Sequence, residues 1–322
     1  MGIRLYTGVG EKTFNKHEVY TGEYACVSPV SGASTRTKRV NSVRVPSGAK
    51  VLQDSGAFSD GPGDRLTYGD ALERQYVHAD TYGYADQVTA IASYDCLLID
   101  EIWEHGKRRK ERWPDEAGMQ AVTVSIDAAR YLNRHRSGIS LVLSAQGVTP
   151  TQYMKCSQGI VPLLEPGDIF GLGGWCIIGK KPAQMMPVFR EAIHQVIPFL
   201  GKEQVKRVHI WGVCYAPALG ELLYLCDQYG IELSTDSVGP TLKPVRGVWG
   251  YAGWRLPDAE YLRPPVLDSC GNCPEGTFCR GLERARHVRE TREWLEHFRE
   301  REPHCYKSMR EKEFVKQERL FV

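Results

Sequence analysis

No apolar run in this 322-residue chain reaches the roughly 18 residues that a membrane-spanning helix requires. The opening MGIRLYTGVGEKTFNK also lacks the apolar stretch of a secretory leader, so a cytoplasmic chain without membrane attachment is expected. Excess charge is nearly absent. Forty-one basic residues against 39 acidic ones leave +2, so a polyanionic partner would have to be met by a local patch. Internal repeats and low-complexity linkers are absent, which sets aside solenoids and wholesale disorder. GxGxxG, Walker, GxSxG and HExxH patterns are missing too, leaving dinucleotide-cofactor, NTPase, serine-hydrolase and zincin readings without support.

Glycine, by contrast, is plentiful. Thirty-two of them, about 10% against a usual ~7%, imply many tight turns. Short apolar runs recur between residues 50 and 250: KVLQDSG (50–56), VTAIASYDC (88–96), GISLVLSAQG (138–147), GDIFGLGG (167–174), KRVHIWGV (206–213) and GIELSTDS (230–237). Each closes on small or polar residues, the pattern of a buried parallel strand feeding a loop. YACVS (24–28) and a segment near GVWGYAG (247–253) can supply the first and last strands. Amphipathic stretches intervene. Met119, Val122, Ile126 and Ala129 share one helical face, as do Met185, Phe189, Ile193, Val196 and Leu200, and Gly230 is placed to end a third helix. Seven or eight such units in about 230 residues fit a (β/α)8 TIM-type barrel over residues 1–255, with a small C-terminal zinc-binding subdomain over 256–322.

Barrel strands deliver their last residues to one face, where sites are built. Those residues are Asp54-Ser55-Gly56, Asp95, Gln146-Gly147, Gly171-Leu172-Gly173-Gly174 and Asp236-Ser237. Any single aspartate here could equally cap a helix or form a turn. Together they suggest three carboxylates, a carboxamide and a glycine pair around one cavity. Carboxylates accept from N–H groups, while amide and backbone N–H groups donate to a carbonyl. Guanine offers the complement: N1–H and a 2-amino group beside O6. Asp95 can hold the donor side, and Gln146 with the Gly173–Gly174 backbone the acceptor side. Another carboxylate can attack or stabilise an anomeric carbon.

At these residues the chain resembles the tRNA-guanine transglycosylase superfamily. VLQDSGAFSD (51–60) is similar to that family's DSGGFQ segment, ASYDC (92–96) to its third-strand end, and SAQG (144–147) to its QGG. FGLGGWCIIG (170–179) is similar to GGLAVGE, and TDSVGPT (235–241) to the DCVxPT that carries the nucleophile. The resemblance implies that Asp236 attacks C1′ to form a covalent glycosyl-enzyme and that Asp54 is the general acid/base. It further implies that Asp95, Gln146 and Gly174, with Gly173 and Ser55, recognise the base. It suggests a homodimer as well. The tRNA-directed enzymes continue PTRNARNG after the aspartate, whereas here the run is PTLKPVRGVWGY (240–251). That departure and the short chain are more like the DNA-directed branch, which inserts 7-cyano-7-deazaguanine or a relative. DNA is therefore the preferred partner and tRNA the second, with free guanine and a 7-deazaguanine as exchanging bases.

Seven of the ten cysteines are scattered singly, while Cys270, Cys273 and Cys279 form C-x2-C-x5-C. Thiolates so spaced can share a structural zinc ion, with His287 as fourth ligand and His297, His304 and Cys305 in reserve. GKRRKERW (106–113) carries five cations within six positions and can neutralise phosphates, or be a solvated loop. Tyr94, Trp175, Phe58 and Tyr215 stand beside the site residues as either stacking partners for a flipped base or barrel packing. His194 and His209 read as core or helix-face histidines. The rival readings are the same exchange on tRNA, a non-catalytic nucleic-acid-binding subunit, and a barrel glycosidase indifferent to guanine.

Overall fold

The computed structural model describes residues 2–9, 23–31, 39–40, 42–60, 65–96, 99–104, 107–112, 115–179, 181–237 and 280–306. In chain order the strands are β1 (Arg4–Val9), β2 (Tyr24–Val27), β3 (Val30–Ser31), β4 (Arg39–Val40), β5 (Lys50–Gln53) and β6 (Val88–Ala92). They continue as β7 (Ile99–Glu104), β8 (Lys107–Arg112), β9 (Ser140–Ala145), β10 (Ile169–Leu172), β11 (Arg207–Ile210) and β12 (Glu232–Ser237). Eight of them close into a barrel in the order β1-β12-β11-β10-β9-β6-β5-β2, every neighbouring pair parallel. The remaining strands pair as two antiparallel ribbons, β3 with β4 and β7 with β8.

Helices link the strands. α1 (Tyr68–Thr81) joins β5 to β6, and α2 (Asp115–Arg134) runs from the β7–β8 hairpin to β9. α3 (Pro150–Ile160), α4 (Pro182–Lys202) and α5 (Ala216–Gln228) follow β9, β10 and β11. This is the expected α/β, TIM-type architecture. Its strands are buried on both faces, as β10 is at all four positions, because helices cover the outside and side chains fill the inside. Tyr6, Cys26, Leu52, Ala90, Ala92, Val142 and Ile169 pack there, with Trp211 against them. The helix faces read from spacing are the buried ones: Val122 and Ala129 on α2, and Met185, Phe189, Ile193, Val196 and Leu200 on α4. Gly230, at φ +63°, follows the last turn of α5, where a left-handed residue ends the helix.

One strand differs from expectation. The barrel is closed by β1, whose residues Arg4–Thr7 pair with Ser234–Ser237, and GVWGYAG lies outside the described residues. RLYTGV is short and flanked by glycines, which masks its strand character, yet every residue past Arg4 is buried. Beneath β1 sit α6 (Arg280–Glu296) and α7 (Phe298–Arg301). The N–H of Ile3 donates to the Leu295 carbonyl at 2.8 Å, and Trp294, Leu295 and Phe298 join the main core. Among the described residues, no helix is long and apolar enough to cross a membrane.

Candidate active site at the C-terminal face of the barrel

The barrel ladder continues one step past several strands and thereby fixes the site's backbone. Asp54 N–H donates to Val27 O (2.8 Å), Ser93 to Val142 O (3.0 Å), Gly173 to Ala145 O (3.0 Å) and Trp211 to Leu172 O (3.0 Å). The side chains that follow therefore leave from a rigid rim rather than from free loops.

Asp54, Asp95 and Asp236 come together at this rim. Burial raises the Asp54 pKa, the charge of Asp236 raises it further, and the Ser28 hydroxyl with the Gly56 and Ser55 N–H groups works the other way. Asp95 is pushed up to about 6, first by burial and then by the charge of Asp54, against the Gln146 amide and Arg65. The Cys26 thiol below them is driven well above its ordinary value by burial and by both Asp236 and Asp54. Asp54 is thus electrostatically joined to the other two carboxylates, each additional charge making the next harder to form.

Gln146 is buried and donates through Nε2 to Asp95 Oδ2. Its Oε1 is buried without a hydrogen-bond partner among the described residues. Leaving a buried carbonyl oxygen unpaired costs about 1–3 kcal/mol, which a donor on a bound molecule would offset. Gly173 and Gly174 lie against this amide. A Cβ on Gly173 would collide with the Gln146 carboxamide, and one on Gly174, at φ +81°, would come within 2.6 Å of the Tyr153 hydroxyl. That hydroxyl donates to Gly173 O at 2.7 Å. Because the Gly173 N–H is bonded to Ala145, this glycine gives room for Gln146 rather than a donor for a base.

Asp236 is 19% exposed. Its Oδ1 accepts from the Gly212 N–H at 2.7 Å and faces His209 Nε2 at 3.2 Å. Ser55 is buried, its Oγ accepting weakly from Ala57 N–H at 3.4 Å while its carbonyl accepts from Arg74 at 2.6 Å. Its hydroxyl shapes the loop that presents Asp54. Arg74 also pairs with the buried Asp60, which accepts from the Tyr94 hydroxyl at 2.8 Å. Arg65 donates to the Asp95 carbonyl at 3.0 Å and lies 4.7 Å above the Tyr94 ring. One network therefore clamps the Asp54 and Asp95 loops together.

Two of the aromatic candidates are packing. Trp175 is fully buried, stacked on Tyr153 at 4.9 Å with Phe189 against its edge, and Tyr94 is buried under Arg65. Phe58 remains exposed and Tyr215 half-buried. Cys270, Cys273 and Cys279 lie outside the described residues, and His287 falls on α6. Among the described residues no group of three or more His, Cys, Asp or Glu side chains could hold a metal ion. His209, Trp211, Arg65 and Arg74 were not singled out for the site from the sequence. The available signal was the alternation in RVHIW, which sends His209 and Trp211 to the same side of β11. A buried imidazole there must find a polar partner.

The coupled carboxylates give a stability prediction. A carboxyl with a raised folded pKa stabilises the fold most below about 3.8 and loses that contribution as pH rises through about 6. Asp95→Asn keeps an acceptor for Gln146 and removes the charge. It is expected to stabilise the protein at pH 8 by an amount on the order of 1–3 kcal/mol, and by almost nothing at pH 4. Melting curves of both proteins at the two pH values check this.

No family model matches the chain, and no curated protein matches it. Among solved structures, one of an L-ribulose 3-epimerase covers 98% of this chain and 98% of its own, at 11% identity and a TM-score of 0.40. A likeness that slight carries nothing about chemistry, and the barrel rests on its own strand order.

Proposed function

We propose that the protein is a guanine transglycosylase that exchanges guanine for a 7-deazaguanine in DNA through a covalent aspartyl-glycosyl intermediate. The observation that carries this reading is the meeting of Asp54, Asp95 and Asp236 with the half-satisfied Gln146 at one end of the barrel. Asp95 accepts from the N1–H and 2-amino edge of the base. The Asp236 carboxylate attacks C1′, the bond from C1′ to the base breaks, and its electron pair leaves with the base. Asp54, whose protonated form is favoured by burial and by the Asp236 charge, gives that base a proton. The incoming base returns a proton to Asp54, bonds to C1′ and releases Asp236. Zinc at Cys270, Cys273, Cys279 and His287 belongs to this reading as a structural ion, and a homodimer as its assembly.

The target must leave a duplex or be single-stranded already, at a cost of a few kcal/mol. Phosphate contacts are assigned to the cationic run, because β8 belongs to a hairpin inserted directly after the Asp95 loop. Charge reversal of Arg108, Arg109 and Lys110 to Glu is expected to raise KM for the strand. It should also flatten the salt dependence by about 0.7 per lost contact, with the KM for free base unchanged. Binding titrations at several salt concentrations test it.

The decisive experiment incubates the protein with labelled guanine and either guanine-containing DNA or bulk tRNA. Label entering DNA supports the proposal. Label entering tRNA alone transfers the same chemistry to the other nucleic acid. Label entering neither overturns the reading.

A further inference from the structure

The imidazole of His209 is completely buried inside the barrel, in edge-to-face contact with Tyr6 (5.7 Å, 78°) and Trp211 (4.4 Å, 73°). Both its nitrogens have partners. Nδ1 lies 3.0 Å from Ser234 Oγ and Nε2 lies 3.2 Å from Asp236 Oδ1. Ser234 Oγ is also 3.2 Å from the Val208 carbonyl.

A serine hydroxyl has one proton to give. If it goes to Nδ1, the ring is the neutral form with hydrogen on Nε2, which donates to Asp236. If it goes to Val208, Nδ1 carries its own hydrogen, and Nε2 meets an anionic oxygen favourably only as the second N–H of an imidazolium. A neutral ring protonated on Nδ1 alone would set a lone pair against the carboxylate. Both favourable arrangements put a donor on Asp236 Oδ1, which the Gly212 N–H already fixes from another side.

We propose that His209 is a positioning residue for the nucleophile: it clamps Oδ1 of Asp236 so that Oδ2 is presented to the anomeric carbon. This rests on the transglycosylase reading and deepens it. Oδ2 has no partner among the described residues, so one carboxylate oxygen is engaged and the other is left for bond formation. When the C1′–Oδ2 bond forms, Oδ1 becomes the ester carbonyl oxygen and keeps both donors. When the incoming base displaces Asp236, those donors stabilise the negative charge returning to the carboxylate. A donor fixed before the reaction needs no reorganisation in either half.

The test uses the full chain and four variants: His209→Phe, His209→Asn, His209→Gln and Asp236→Ala. The carboxamide nitrogen of glutamine reaches the position of Nε2, whereas that of asparagine reaches only the position of Nδ1. Exchange of labelled guanine is followed with kcat and KM for the free base, alongside thermal unfolding. His209→Phe and His209→Asn are expected to lose about 10²-fold in kcat, by analogy with removal of a single preorganised donor, with KM changed less than about twofold. His209→Gln should recover most of kcat. If His209→Phe does not fold, the comparison of Asn with Gln still decides. Equal kcat for those two, or a kcat within about threefold of the parent for His209→Phe, overturns the inference. If Asp236→Ala retains exchange, or the parent shows none, the transglycosylase reading fails instead.

Discussion

Asp236→Asn is expected to lose covalent trapping on a guanine-containing strand and at least on the order of 10³-fold in kcat, because it removes the proposed nucleophile and leaves its surroundings intact. The amide oxygen can still accept from Gly212 and His209 where Oδ1 does now. Fold and base binding should therefore persist, separating this loss from simple misfolding. Removing the charge also lifts one of the influences that raise the pKa of Asp54, and another from the Cys26 thiol. The variant should accordingly melt no lower than the parent at pH 8. A denaturing gel or intact mass after incubation reads the adduct directly. An adduct that survives the substitution would remove Asp236 from the chemistry, and the transglycosylase proposal with it.

How far the chain disclosed its own structure varies by element. Runs such as SLVLSA and the Met185–Phe189–Ile193 face were legible because period and burial agree: both faces of a barrel strand are apolar, and one stripe of each helix. RLYTGV was not, since its apolar residues are few and its closing partner stands more than 220 residues away, in the strand that carries Asp236. Pairing at that distance leaves no local trace. The cationic run after Asp95 looked like a loop and is a strand of a hairpin, its residues facing Ile99–Glu104 in register.

The site divides along the same line. Aspartates at the ends of apolar runs announce themselves because charge there is conspicuous. What each touches does not. Gly173 looked like a donor, but its N–H belongs to the ladder; Trp175 was open between a platform for a base and barrel packing, and its ring is core. His209 looked like core and is core, yet its second nitrogen meets the Asp236 carboxylate. Burial and function are not alternatives at the inner face of a small barrel, where every side chain is enclosed and only its partners tell its role.

The other large effect belongs to Asp54. Asp54→Asn should slow formation of the glycosyl-enzyme by about 10²–10⁴-fold, the range for losing a positioned acid. Its pH behaviour follows from the sign of its shift. Burial and the Asp236 charge favour the protonated form, so the acid that serves the departing base is present below its raised pKa and disappears as pH rises through it. Adduct formation by the parent should therefore fall as pH rises through that raised value, and by Asp54→Asn it should be slow and level. A parent profile with no alkaline fall counts against the role. The chemistry of the leaving group offers a sharper discriminator. A 7-methylguanine already carries positive charge and departs as a neutral molecule without accepting a proton. On a strand containing it, Asp54→Asn should be impaired far less than on one containing guanine, while Asp236→Asn stays inactive on both. Equal impairment of Asp54→Asn on the two strands would make position 54 an electrostatic or structural support of Asp236 and not the proton donor.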